Sequence, residues 1–553
     1  MAGGYNSLMP DKESLLKTVF RRPLLASLGI SCLYFFLGWL FFTPFFQSND
    51  DMVMNWITRG FGLVDHPSEF LVVVNVLLGI LLKNLNLTLP HVPWFGLGLF
   101  GVFFLSVWAL LAAFFSRERS SWAGLFLFLL GTPLFFHCFA WPQYTVYCLL
   151  AAQAGCFLLI HPIRPRLLGY FISVFLLVIS SLIRLEPAMF TMLAFGIYFI
   201  REFLKKEKPR EKGAGFLVAL LAAIVLMAGA FLFDRAYVAS HAGWQDAREY
   251  YQKRFSIDEI KVTDYDRQKA AFQSVGWEPE DYRMFVQTYY AGPLFSLENL
   301  KKLDGLLKVD FSLKRDLLME LMKNTVVQLV LFMFGIGVIL TGMGKGRSWG
   351  PVSWVLGLVL FLVSFNKIVA RVFWPQLFLA DLIMLFSLPP GALWTKSRSG
   401  SRYLIGLLVL VLGWAAFRTL HEDFSINQTG PRSSQAILDT VKALAPRKDQ
   451  LFIIWGPAFP FAGFPLFQTD EGLENFRFFW LSWLERTPYG DERLEQFHVR
   501  DFLKDTVNRK DIFWFMSDSA HTLEDYFQKR AGMKVKRDLV FHGYFDVYQM
   551  VTE

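Results

Sequence analysis

The polar segments of this 553-residue chain contain no cysteine. Its four cysteines, Cys32, Cys138, Cys148 and Cys156, all lie inside apolar runs, which excludes a disulfide framework holding a secreted domain together. Charge is also scarce: Asp, Glu, Lys and Arg make up 18% of the residues, against about 25% in an average soluble domain. Several sequence patterns are missing as well. There is no phosphate-binding Gly-rich loop of the Walker or Rossmann kind, no Cys/His zinc spacing, no Ser nucleophile elbow, no sustained repeat and no low-complexity tract. These absences remove nucleotide-binding and zinc-based readings. The net charge of +8 would suggest an anionic partner in a soluble protein. Here the basic residues cluster between apolar runs, so the charge reflects membrane topology, and nucleic-acid binding is excluded.

Apolar sequence is abundant. Hydrophobic residues reach 54% and aromatics 17%, mean hydropathy is +0.37, and many separate runs of about 17–23 residues are long enough to cross a bilayer core. The fold class expected is a polytopic α-helical membrane protein with a C-terminal extracytoplasmic α/β domain. Runs fall at about 24–46, 70–85, 94–115, 122–141, 145–161, 167–183, 188–203, 214–233, 324–343, 349–365, 372–389 and 402–419. Basic loops mark the cytoplasmic side: the Lys12–Arg22 leader, SRERSS at 116, HPIRPR at 161, REFLKKEKPREKG at 201, GKGRS at 344 and WTKSRSGSR at 394. They all fall on one side if the run at 70–85 does not cross. That run is the shortest, follows His66-Pro67 and closes on Lys83-Asn84, as an interfacial helix on the outer face would. The expectation is therefore about eleven spans in an inner-membrane protein with a cytoplasmic N-terminus, which is read as an uncleaved first span.

Four regions follow: a transmembrane module at 1–233 with its first outer loop at 47–93, an extracytoplasmic helical loop at 234–322, transmembrane helices at 323–420, and an extracytoplasmic α/β domain at 421–553. In the loop, AREYYQKRF, DYDRQKAAFQSV and DFSLKRDLLMELMKN carry apolar residues three and four apart. The C-terminal segment alternates helices (SQAILDTVKAL from Ser434, VRDFLKDTVNR, HTLEDYFQKR) with strands (DQLFIIWG, KDIFWFMSD). It closes on a hairpin across Gly543.

The residues with chemistry sit at the outer ends of spans. Asp50 and Asp51 end the first span, where a carboxylate is costly unless hydrated, paired or functional. Adjacent acids can ligate a divalent cation or hold a base against an acceptor hydroxyl, and they serve equally as a solvated loop start. Arg184 ends SSLIRLEP beside Glu186. Lys367 and Arg371 in SFNKIVARVFWP stand four apart, on one helical face. Snorkelling to headgroups, or pairing with Glu186, is the plainer role for these cations. His137 and Glu186 are cavity-lining candidates, with a structural role for His137 and an ion pair with Arg184 for Glu186 as the plainer readings. In GWEPEDY, Trp277 reads as a buried anchor of a helical turn. Asn86-Leu-Thr88 and Asn427-Gln-Thr429 match the glycosylation pattern.

The order of features resembles the first outer loop of the GT-C superfamily of membrane glycosyltransferases. A first span, an acidic pair, a short helix, His66-Pro67, an in-plane apolar helix and a second span follow one another. The similarity is to the protein mannosyltransferase and lipid A aminoarabinose transferase branches, with Ser68 where a second proline is usual. Motif-level likeness covers residues 49–67, and architectural likeness covers the whole chain. The resemblance implies a sugar moved from a polyprenyl-phosphate donor, a membrane lipid, to an acceptor whose identity the sequence leaves open. It further implies Asp50, with Asp51 second, as acceptor base or orienting group, sometimes with a divalent cation on Asp50 and Asp51. Arg184, Lys367 and Arg371 would take the donor phosphate, and His66 would sit near the cavity. A transporter or flippase of envelope glycolipids, or a non-catalytic envelope-assembly protein retaining the fold, are the rival classes.

Overall fold

The computed structural model describes residues 23–553, apart from 118–120, 205–208, 262–263, 343–348, 366–368, 388–398, 445–448, 468–472, 474 and 517–520. It is mostly helical, with a small C-terminal sheet. Among the described residues, four helices have the length and apolarity to cross a membrane: Pro23–Phe41, Trp94–Ser116, Arg166–Ile183 and Ala214–Ala239. Phe311–Leu321 and Thr325–Ile336 form a fifth candidate, bent by 87° at their junction. Outward-facing side chains such as Leu33, Phe36 and Leu40 on the first helix are more than half exposed, the apolar surface that a helix facing lipid presents. Tyr144–Ile160 is the opposite case: every residue from Tyr144 to Leu159 is buried. It is the hub on which the Trp94–Arg117, Arg166–Ile183, Leu185–Leu204 and Ala370–Ser387 helices pack.

The 70–85 run is only partly helical. Its helix spans Val76–Thr88, 13 residues capped by the Asn75 side chain, which accepts from Leu77 N–H. At 1.5 Å per residue this is about 20 Å, short of a bilayer core of about 30 Å. The preceding turn is built around the Asn49–Arg59 helix, which ends on Gly60 at φ 86°. A Cβ at Gly60 would stand 2.4 Å from the Pro67 nitrogen, so only glycine lets the His66-Pro67 turn fold back onto that helix end. Ser68, in the second-proline position, accepts a hydrogen bond from the Tyr489 hydroxyl at 2.6 Å.

The sheet has the order β2-β1-β3-β5-β4. β1 (Leu451–Trp455) runs parallel to β2 (Arg477–Leu481) and to β3 (Ile512–Phe515). β4 (Val535–His542) and β5 (Asp546–Thr552) form the C-terminal hairpin. Its central strands are apolar on both faces because both faces are covered. Phe452, Ile454, Phe478, Trp480 and Phe515 join the core shared with the 47–93 segment and the long apolar helices. The alternate residues Leu451, Ile453, Phe479, Leu481 and Trp514 pack on the helices between Trp244 and Leu307. Trp277 is fully buried there and donates its Nε1–H to Leu294 O at 2.8 Å. On the other face, Trp56 is 1% exposed and ringed by Phe61, Phe461, Phe464 and Phe478, with centroids 5.4–5.9 Å away. Asp65 adds ion pairs to Arg477 (3.0 Å) and to the buried Arg493 (3.2 Å).

One element departs from the expected layout. A single 46-residue helix, Ser399–Leu444, contains Pro431 and runs from the last apolar run into the C-terminal domain. The boundary drawn near residue 420 and the helix start at Ser434 therefore both fall inside it. The two asparagines of the glycosylation patterns are also interior. Asn86 is 2% exposed and bonds Leu82 O, while Asn427, also 2% exposed, clamps the backbone of Thr43 through both its amide groups.

Candidate functional site

Four helices begin at one place. Asn49–Arg59, Tyr144–Ile160, Leu185–Leu204 and Ala370–Ser387 all have their first turn at a cavity of about 620 Å³, a size typical of ligand pockets. Its lining includes Asn49, Asp50, Tyr144, Arg184, Glu186, Arg371 and Gln376. A helix start directs partial positive charge outward, so this end of the bundle favours anions even before its side chains are counted. Arg371 stands in the first turn of the last of these helices. Arg184 is the C-cap of Arg166–Ile183 and immediately precedes Leu185.

The structure thus brings Asp50, Arg184, Arg371 and Glu186 into one cavity. Arg184 donates to Thr145 Oγ1 at 3.2 Å and lies 3.9 Å from Glu186, whose side chain is 82% exposed. A contact of that length to an exposed carboxylate is loose. Lys367 lies outside the described residues.

Asp50 and Asp51 separate because consecutive helical residues point about 100° apart. Asp50 lines the cavity, whereas Asp51 is fully buried behind it. Asp51 accepts from Tyr144 N–H at 3.0 Å and from the Ser48 hydroxyl, thereby capping the central helix. Burial pushes its carboxyl up to about 7, against the opposing effect of those two hydrogen bonds and of Arg371. Both its oxygens are engaged by protein donors. The carboxylates that line the cavity are Asp50, Glu186 and Glu259, the last of them held by Arg254, and no group of three or more His, Cys, Asp or Glu side chains poised around a common point occurs among the described residues.

The two histidines lie elsewhere. His66 is exposed on its turn and is not in the lining. His137 pairs through Nδ1 with Asp423 at 3.0 Å, and Asp423 also accepts from Trp141 Nε1–H at 2.9 Å. This fixes the end of the Ser121–Ala140 helix to the long C-terminal one.

Other lining residues escaped the sequence reading. Tyr251, Arg254 and Phe255 come from the Trp244–Phe255 helix, and Glu259 from the π-helical turn Ser256–Lys261 that continues it. Arg254 is 6% exposed and donates to Asp258 (3.2 Å) and Glu259 (2.8 Å). Its acid partners four and five residues on were the available signal. Thr288 lines the cavity at φ 66°, a left-handed conformation that a β-branched residue rarely adopts. It is held there by the C-terminal domain. Its hydroxyl donates to Leu481 O at 2.9 Å, Trp455 Nε1–H donates to Gln287 O at 3.0 Å, and Tyr290 N–H donates to Glu485 at 3.1 Å. Burial raises the Glu485 carboxyl to about 8.

No protein-family model matches the chain, and no curated protein matches it. Among solved structures, the chain is similar to ArnT from Cupriavidus metallidurans bound to undecaprenyl phosphate. The identity is 12%, with 95% of this chain and 97% of that one covered and a TM-score of 0.39. It is likewise similar to ArnT from the same organism in the apo state, at 13% identity over 98% of each chain with a TM-score of 0.36.

Proposed function

We propose that this protein is a membrane glycosyltransferase that moves a sugar from a polyprenyl-phosphate donor to an acceptor on the outer face of the cytoplasmic membrane. The observation that carries the reading is that one cavity holds a carboxylate, Asp50, together with two arginines, Arg184 and Arg371, at the convergence of four helix starts. The reaction is a displacement at the anomeric carbon. Asp50 accepts or orients the proton of the attacking hydroxyl. The new bond forms from the acceptor oxygen to the sugar as the sugar–phosphate bond breaks. The negative charge on the departing phosphate is then met by guanidinium groups, whose planar forks suit its oxygens, and by the partial positive charge of the helix starts. Lys367, four residues before Arg371, is a further cation assigned to this phosphate. Pro187, Phe190, Val369 and Val372 line the same cavity and give an apolar path for the first isoprene units.

The test is binding of undecaprenyl phosphate to the purified full chain, followed by transfer from undecaprenyl-phosphate sugars. Failure of the wild type to bind this lipid phosphate, or an affinity left unchanged by Arg371→Ala, would refute the reading.

A further inference from the structure

One wall of the cavity is held from behind by a buried acid. Glu485 sits in the Trp483–Arg486 turn that follows β2 and is 5% exposed. One of its oxygens accepts from Tyr290 N–H, while the other has no hydrogen-bond partner among the described residues. Arg486 is the cation that acts on it, yet that guanidinium lies over the Tyr250 ring and donates to Tyr290 O (2.9 Å) and to Gly292 O. The other titratable groups facing the carboxyl are phenols: Tyr250 from the Trp244–Phe255 helix, and Tyr289 and Tyr290 from the wall itself. Asp491, on the Pro488–Gln496 helix, is drawn to Arg486. No cation is hydrogen-bonded to the Glu485 carboxyl, so ionising it in place would leave a buried charge unpaired. Glu485 and Arg486 together grip the backbone of residues 290–292, and the same segment brings Thr288 and Tyr290 into the cavity lining. Thr288, at φ 66°, keeps its left-handed conformation only while such contacts hold it.

We propose that Glu485 is a positioning residue that makes this wall of the cavity pH-sensitive: the turn grips residues 288–292 with the carboxyl protonated, and the wall opens by giving up that proton to water. The proposal concerns the wall, whatever the cavity binds, so it stands or falls apart from the transferase reading. Burial raises the carboxyl from an ordinary value of about 4.3 to about 8. Between those values the closed wall holds a proton that the open wall releases. Rising pH therefore favours opening, by about tenfold per unit, until the closed form also ionises near 8 and the dependence levels off.

Hydrogen exchange on the purified full chain, corrected for the intrinsic pH dependence of exchange, tests this at the Tyr290 amide. Protection there should fall by about tenfold per unit between pH 5 and 8 and level off above that range, while the amides of β1 keep theirs. Glu485→Gln retains size and an oxygen for Tyr290 N–H but cannot titrate, so its profile should be flat. Wild-type protection at Tyr290 that does not change from pH 5 to 8 would overturn the proposal, as would the same slope in Glu485→Gln. A fall shared equally by β1 would also overturn it, since the whole domain would then be opening. If Glu485→Gln does not fold, the comparison of Tyr290 with β1 in the wild type still decides.

Discussion

The two sides of the cavity are made differently. The side formed by Asp50, Arg184 and Arg371 stands on the first turns of buried helices, where the backbone contributes positive potential and the side chains have short, fixed approaches. The side formed by Tyr251, Phe255, Glu259 and Thr288 comes from a helical insertion that the C-terminal sheet presses into place. The first is a set of charges placed by helix geometry, and the second is a surface in which Tyr251 and Phe255 stand beside the paired Arg254 and Glu259. Helix starts recur in every bundle, so a cationic end of this kind needs little sequence, whereas a surface resting on tertiary contacts depends on many distant residues.

The most severe way to break this contrast is Asp50→Asn, which keeps size and removes basicity. Turnover should fall by about 10²–10⁴-fold, as for a general acid–base residue, with the melting temperature unchanged. Next comes Trp56→Ala, aimed at what holds the two sides together. Emptying a buried aromatic site costs about 3–5 kcal/mol, so thermal unfolding should shift well down and the C-terminal domain should become protease-sensitive. Arg371→Ala follows. Losing charge-assisted hydrogen bonds of about 1.5–3 kcal/mol should weaken undecaprenyl phosphate binding about 10–100-fold. Arg371→Lys should recover part of this, because an ammonium lacks the planar fork.

The mildest case is Asp51→Asn, which sharpens the comparison by one residue. An amide oxygen still caps Tyr144 N–H, so turnover should stay near wild type. A carboxyl raised in the folded state contributes stability that is complete below its unfolded value, about 4, and lost as pH rises through about 7. Wild-type melting temperature should therefore drop between pH 4 and 8 by more than that of Asp51→Asn, which scanning calorimetry across that range would measure.

Much of the site was legible because its charges interrupt apolar runs. Asp50, Arg184 and Arg371 each stand at the end of such a run, and a charge there asks for an explanation. Which of two adjacent aspartates faced inward was not legible, since a short helix carries no mark of its phase. Arg254 and Glu259 were hidden among the many charges of a loop in which solvated ion pairs are the rule. β2 was missed because RFFWL is five residues long, and so short a run is read as strand or helix with equal ease. The 46-residue helix was missed for a definite reason. Gly430 and Pro431 are breakers by propensity, yet glycine is required there because a Cβ would stand 2.5 Å from the Phe45 ring.

That helix has a mechanical meaning. At 1.5 Å per residue it is a rod about 69 Å long, anchored to Thr43 through Asn427 and to the Ser121–Ala140 helix through Asp423 and His137. Asp423 and Asn427 stand only four residues apart, about 6 Å along the axis, so the helix is held at a single turn, and Pro431 follows one turn later. A tilt of the apolar end would pivot about that turn and reach Leu438 and Val441, which lie in the core shared with the sheet, only through the proline, where a missing backbone hydrogen bond favours bending. Spin labels at the two ends of the helix should therefore report displacements that are only partly correlated, and Pro431→Ala should tighten the correlation.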